Sequence, residues 1–157
     1  MKKIFSLIFI LSTATVFSQE DGSETYNVIR DAIKASIPEG FIVNTGQTTD
    51  NRFNYSYTYD ENGSELNRLI YNLIPGTEGF SEIELALGEE PYLWNERKAL
   101  FIDGSKTGMS GIEIILKNNA GKFSVMHRDF KTYKPMNKED LEQLFSKFSM
   151  DKLESTH

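Results

Sequence analysis

The segment Gly104-Ser105-Lys106-Thr107-Gly108 carries the letters of a phosphate-binding loop. That loop reads G-x-x-x-x-G-K-[ST] between a strand and a helix, because successive backbone N–H groups and the helix N-terminus together cradle the anion. Here Ala99 stands five residues before Gly104, where the first glycine belongs, and a β pattern from Ile112 to Leu116 follows instead of a helix. Both spacing and context predict a hairpin connection, with Gly104, Gly108 and Gly111 supplying positive φ and Lys106 at its tip.

Gly108-Met109-Ser110-Gly111 also approaches the nucleophile elbow G-x-S-x-G, but Ile112 occupies the last position and the strand-turn-helix context is missing. A serine nucleophile needs a base. His127 is the one internal histidine, since His157 ends the chain, and it alternates with Phe123 and Val125 as a strand residue does. One histidine with no cysteine makes no familiar zinc site. Asp60-Glu61-Asn62-Gly63-Ser64-Glu65 offers hard oxygen ligands suited to calcium, yet lacks the EF-hand spacing and reads as a polar hairpin turn. Paired carboxylates for glycoside hydrolysis are recognised by their separation in space, which a sequence does not display. No catalytic residue, metal site or cofactor is assigned.

The aromatic side chains are the richer signal. Phe53, Tyr55, Tyr57 and Tyr59 share one strand face, and Tyr92 and Trp94 follow Pro91 in PYLWNERK. Aromatic rings stack on sugars and apolar ligands and are favoured at protein interfaces. Trp94, Tyr92, Tyr57 and Tyr59 are therefore the candidate ligand-binding residues, although a half-buried core face also explains the Phe53 to Tyr59 row.

Composition limits the partners. The chain opens MKKIFSLIFILSTATVFSQE, in which two lysines precede a short apolar run diluted by hydroxyls. A membrane span needs about 20 mostly apolar residues, so residues 1–18 read as a secretory signal peptide cut between Ser18 and Gln19. Without them 139 of the 157 residues remain, and 15 Lys and Arg against 23 Asp and Glu give a net charge of −8. Scattered positive charge in an acidic chain suits neither nucleic acid nor an anionic membrane. With no cysteine the exported protein has no disulfide, and its core alone must stabilise it.

The positioning elements follow from periodicity. Tyr26, Ile29, Ile33 and Ile37 recur at helical spacing over 23–37, and Pro38-Glu39-Gly40 stops that helix. Asn137 with Lys138-Glu139-Asp140 predicts the N-terminus of a second helix whose stripe is Leu141, Leu144, Phe145 and Phe148. Between them the period is two: Phe41 to Val43, Phe53 to Tyr59, Glu82 to Leu87, Leu100 to Ile102, Ile112 to Leu116 and Phe123 to Phe130 read as strands. Glu65 to Ile74 fits either a strand or a helix, and the preceding Asn-Gly turn favours a strand. Short spacers dictate antiparallel neighbours. The fold class is α+β, a meandering antiparallel sheet of about six or seven strands with a helix at each end of the chain, in one domain over 19–157.

This order of elements, with "IPEGF" closing the first helix and "KEDLEQLFSKF" as the last, resembles the PsbP/Mog1-like α/β/α sandwich over Thr25 to Phe148. The resemblance implies a non-catalytic accessory or binding role. The leader ending "FSQE" is similar to those of small exported proteins of Bacteroidetes. The expectation is an exported, periplasmic or secreted, non-enzymatic binding or accessory protein of the bacterial envelope, contacting a protein partner or a small apolar or glycan ligand. The alternatives are a small carboxylate-dependent hydrolase, calcium-assisted or not, and a structural subunit of an envelope assembly.

Overall fold

A computed structural model describes residues 27, 30–38, 41–49, 52–59 and 66–155, with the backbone alone for 42–49 and 52–59. The expected signal peptide, the Asp60 to Glu65 turn and the first turns of the N-terminal helix lie outside these residues.

Helix α1 covers 30–36, turns Ile33 fully inward and ends ahead of Pro38. The strands are β1 (Phe41–Thr49), β2 (Arg52–Tyr59), β3 (Asn67–Ile74), β4 (Tyr92–Trp94), β5 (Arg97–Ile102), β6 (Met109–Ile115) and β7 (Lys122–Asp129), in the order β1-β2-β3-β7-β6-β5-β4. Every pairing is antiparallel. The ambiguous segment from Glu65 is therefore strand β3 from Asn67 onward, because Leu69, Tyr71 and Leu73 alternate into the core at full burial.

One face of this sheet is the core. Leu69, Tyr71, Leu73, Phe123, Val125, Ile112, Ile114, Ala99 and Phe101 cluster there under α1, α3 (Lys138–Ser146) and α4 (Met150–Ser155). Phe123 meets Phe145 and Phe148 edge-on, with ring centroids 5.5 Å and 5.2 Å apart. Asn137 caps α3 by accepting from the Asp140 N–H, and Leu141, Leu144 and Phe145 turn inward. The chain does not close with α3, however: Met150 and Leu153 of α4 complete the core.

Glu82 to Leu87, expected as a strand, is helix α2. Its six residues alternate, but Ser81 and Glu84 form a capping box: the Ser81 hydroxyl accepts from the Glu84 N–H, and the Glu84 carboxylate accepts from the Ser81 N–H at 2.7 Å. Two orphan donors of a helix start are satisfied at once, which outweighs a short two-residue period. The alternate sheet face that α2 approaches is polar at its centre, where Glu113, Ser124 and Asn72 lie in one cross-strand row beside the apolar Leu100.

The core face is locked at one end by a buried ion pair. Arg97 Nε and Nη2 donate to Glu154 Oε1 and Oε2 at 2.6 and 2.7 Å, and Glu154 Oε1 also accepts from the Lys117 N–H at 2.8 Å. Burial opposes charge on Glu154, but the Arg97 and Lys117 donors prevail and hold its carboxyl below the usual range. The same guanidinium donates to the Asn95 carbonyl at 3.0 Å, closing the tight β4–β5 turn in which Asn95 and Glu96 both have positive φ. Substituting Glu154→Gln removes the buried counter-charge of the guanidinium and leaves it the exposed Asp151 carboxylate, 3.1 Å from Nη2, so unfolding in urea at neutral pH should be easier by about 3 kcal/mol. A loss within about 0.5 kcal/mol, the range of ordinary surface changes, would show that the pair does not hold α4.

Candidate functional site

The hairpin between β5 and β6 spends its donors on itself. The N–H groups of Thr107, Gly108 and Met109 all point at the Gly104 carbonyl, at 2.8, 2.8 and 3.2 Å. The Asp103 carboxylate accepts from the Ser105 N–H and hydroxyl at 2.9 and 3.2 Å. A carboxylate thus occupies loop donors that a bound phosphate would need. Gly108 alone of the three hairpin glycines has positive φ, at 76°. Gly104 and Gly111 serve close approach instead: a Cβ there would lie 1.2 Å from the Met109 carbonyl oxygen and 1.9 Å from Met126 Sδ.

Ser110 on β6 and His127 on β7 are cross-strand partners on the core face. Both are claimed by the backbone of one residue, Met136. The Ser110 hydroxyl donates to the Met136 carbonyl at 2.5 Å, and the Met136 N–H donates to His127 Nδ1 at 2.8 Å. Nδ1 is therefore the acceptor, which leaves the proton on Nε2, 3.0 Å from Asn67 Oδ1. Burial pushes the imidazole pKa down, with Asp129 and Asp140 acting partly against it. Asp129 itself is spent on the following turn, accepting from the N–H groups of Lys131 and Thr132 and from the Thr132 hydroxyl. His127 is a neutral staple joining β7, β3 and the segment before α3.

The predicted aromatic residues separate. Tyr92 and Trp94 share the inward side of β4, where the Trp94 ring lies 5.7 Å from that of Phe145 and the Lys138 ammonium sits 3.5 Å over the Tyr92 ring. Burial and the neighbouring Glu142 carboxylate push the Tyr92 hydroxyl pKa up. Tyr57 and Tyr59 lie on β2, and β3, β7, β6 and β5 intervene. At about 4.8 Å per strand spacing the two pairs are on the order of 24 Å apart. They do not converge on one ligand, and the side chains of Tyr57 and Tyr59 lie outside the described residues.

What the edge strand turns outward is Leu93, 74% exposed. Beside it a shallow groove of about 360 Å³ runs between Phe80 and β4, lined by Pro91, Tyr92, Leu93 and Lys98. Helix α2 starts directly after Phe80 and Ser81, and it turns its apolar residues to water: Ile83 is 73% exposed, Leu87 64% and Leu85 45%. Leaving a leucine or isoleucine in water forgoes about 1.5–3 kcal/mol each.

Helix α2 takes this orientation because its inward residue is an acid. Glu84 pairs with the Lys122 ammonium, which is 4% exposed and lies 3.2 Å from Glu113 as well. Burial resists the Glu84 charge, but the Lys122 and Ser81 donors win and its pKa falls. Burial raises that of Glu113 against the pull of Lys122, with Glu84 adding to the rise. Gly88 then brings the chain down on Leu100, where a Cβ would stand 2.6 Å from its Cδ1. Sequence reading missed this surface because the alternation of Glu82 to Leu87 matched a half-buried strand. The signal that reveals it is S-x-x-E at Ser81 to Glu84.

Because His127 is held neutral, the unfolded chain takes up a proton below about pH 6.5 that the folded chain refuses. Its contribution to stability is therefore present at higher pH and lost as pH falls. Urea unfolding at about pH 7.5 and about pH 5.5 should show wild type losing more stability on acidification than His127→Gln, and equal losses would refute the neutral staple. No family model, curated protein sequence or solved structure matches the chain.

Proposed function

We propose that the protein is an exported, non-enzymatic binding or accessory protein of the bacterial envelope, and that it contacts a protein partner through α2 and the β4 edge. The observation that carries this reading is α2 itself. It exposes Ile83, Leu85 and Leu87 while its inward carboxylate is tied to a buried ammonium. Exposed apolar side chains held out in this way are costly unless something covers them.

Export rests on the leader at 1–18, and the accessory role agrees with the resemblance to PsbP/Mog1-like proteins. Among the described residues no helix is long and apolar enough to cross a membrane. Tyr92 belongs to this surface through the groove it shares with Leu93, and Trp94 supports β4 from beneath by packing on Phe145. A ligand site at Tyr57 and Tyr59 would be a separate one. For the hydrolase alternative, the best acid is Glu113, whose pKa is raised, but that carboxyl is closed in and paired with Lys122.

A photoreactive amino acid in place of Ile83, introduced into the full chain in envelope-bearing cells, tests the assignment. A discrete protein adduct is expected at this position, and none from the same group at Lys106 on the hairpin tip. Identical adducts from both positions, or none from Ile83, would sink the proposed surface.

A further inference from the structure

The α2 and β4 surface has a charge as well as a hydrophobicity. Glu78, Glu82, Glu89 and Glu90 are all exposed and flank the apolar residues in the chain, whereas among the described residues Lys98 lines the groove and Lys138 sits over the ring of Tyr92. Along the chain these four exposed carboxylates lie beside Phe80, Ile83, Leu87 and Leu93, and the exposed Lys98 stands cross-strand from Leu93. Paired contact surfaces carry complementary potentials, and like charges brought together cost several kcal/mol.

This argues against the simplest occupant, a second copy of the chain. An isologous contact sets a patch against itself, which would bring each set of glutamates onto the other in a protein already at −8 without its leader. An anionic lipid surface meets the same repulsion. A segment that is both apolar and basic meets neither objection, since its lysines or arginines gain counter-charges at the rim while its apolar side chains leave water.

Resting on the binding role proposed above, we infer that the α2 and β4 surface takes an amphipathic segment of another protein, with apolar side chains facing Ile83, Leu87 and Leu93 and with Lys or Arg flanking them. The apolar contact supplies most of the affinity, and the charges supply orientation and encounter rate. The buried link between Glu84 and Lys122 keeps the receiving helix from rolling its apolar side inward, so the surface is formed before the segment arrives.

The probe is a labelled amphipathic peptide of Leu and Lys, followed by fluorescence anisotropy with the full mature chain. Two control peptides are the same sequence with Glu replacing Lys, and the same composition with the leucines scattered out of helical register. The Leu/Lys peptide should bind, and both controls should bind at least about tenfold more weakly, a difference of about 1.4 kcal/mol. The paired substitution Ile83→Ser with Leu87→Ser should weaken it by a similar factor. So should Glu82→Gln with Glu89→Gln and Glu90→Gln, and raised salt should weaken the wild type more than this variant. All these positions are exposed, so the variants fold.

Equal binding of the Glu peptide or the scattered peptide would overturn the inference, as would indifference to both sets of substitutions. So would a wild-type dimer, or binding to phosphatidylglycerol vesicles, that Ile83→Ser with Leu87→Ser abolishes. A protein adduct at Ile83 together with failure of the Leu/Lys peptide would refute the partner chemistry while leaving the binding role standing. Absence of any adduct would refute the role itself.

Discussion

A lysine ammonium buried between two carboxylates sets the layout of one whole side of this protein. Lys122 rises from β7, Glu113 from the neighbouring β6, and Glu84 comes down from α2 to meet them. Desolvating three ionisable groups costs several kcal/mol per ion, and the mutual attraction repays this only with close geometry and further donors. The Ser81 cap provides one such donor to Glu84. With two acids and one base, the charge is unevenly shared: Glu84 is held ionised while Glu113 is pushed towards its neutral form.

An apolar inward residue on α2 would have made an ordinary packed helix, with glutamates in water and the hydrophobic side chains hidden. The chain does the reverse. Such departures from local rules concentrate at functional positions, where stability is given up for a surface with a task. The opposite face shows none of this compromise. Its aromatic and aliphatic side chains interdigitate under α1, α3 and α4, and its polar groups are paired: Arg97 with Glu154, and Ser110 and His127 with the backbone C=O and N–H of Met136. One face therefore provides a rigid body and the other carries the exposed helix.

The sheet edge fits the same division. β4 is three residues long and follows Pro91, both of which discourage indiscriminate strand addition. Its inward side chains are anchored by Phe145 and Lys138, so Leu93 is presented from a fixed strand.

Local chemistry was legible where one signal dominated. Asn137 announced α3, alternation announced the core strands, and a missing glycine with a β pattern after it excluded a phosphate loop at Gly104. It failed at Glu82 to Leu87, where two local signals conflict: six alternating residues speak for a strand, and Ser81 with Glu84 speaks for a helix. The cap is reinforced by Lys122, 38 residues further on, which receives Glu84. The candidate site suffered from the same lack of distant information, since β3 pairs with β7 while β4 lies at the far edge. The sequence by itself determined the α+β class, the antiparallel habit and the acidic charge, because these follow from period, spacer length and composition. Only the tertiary structure decided which acid lies under a helix, which leucines face water and how far Tyr92 stands from Tyr57, because strand order and buried charge pairing depend on residues remote along the chain.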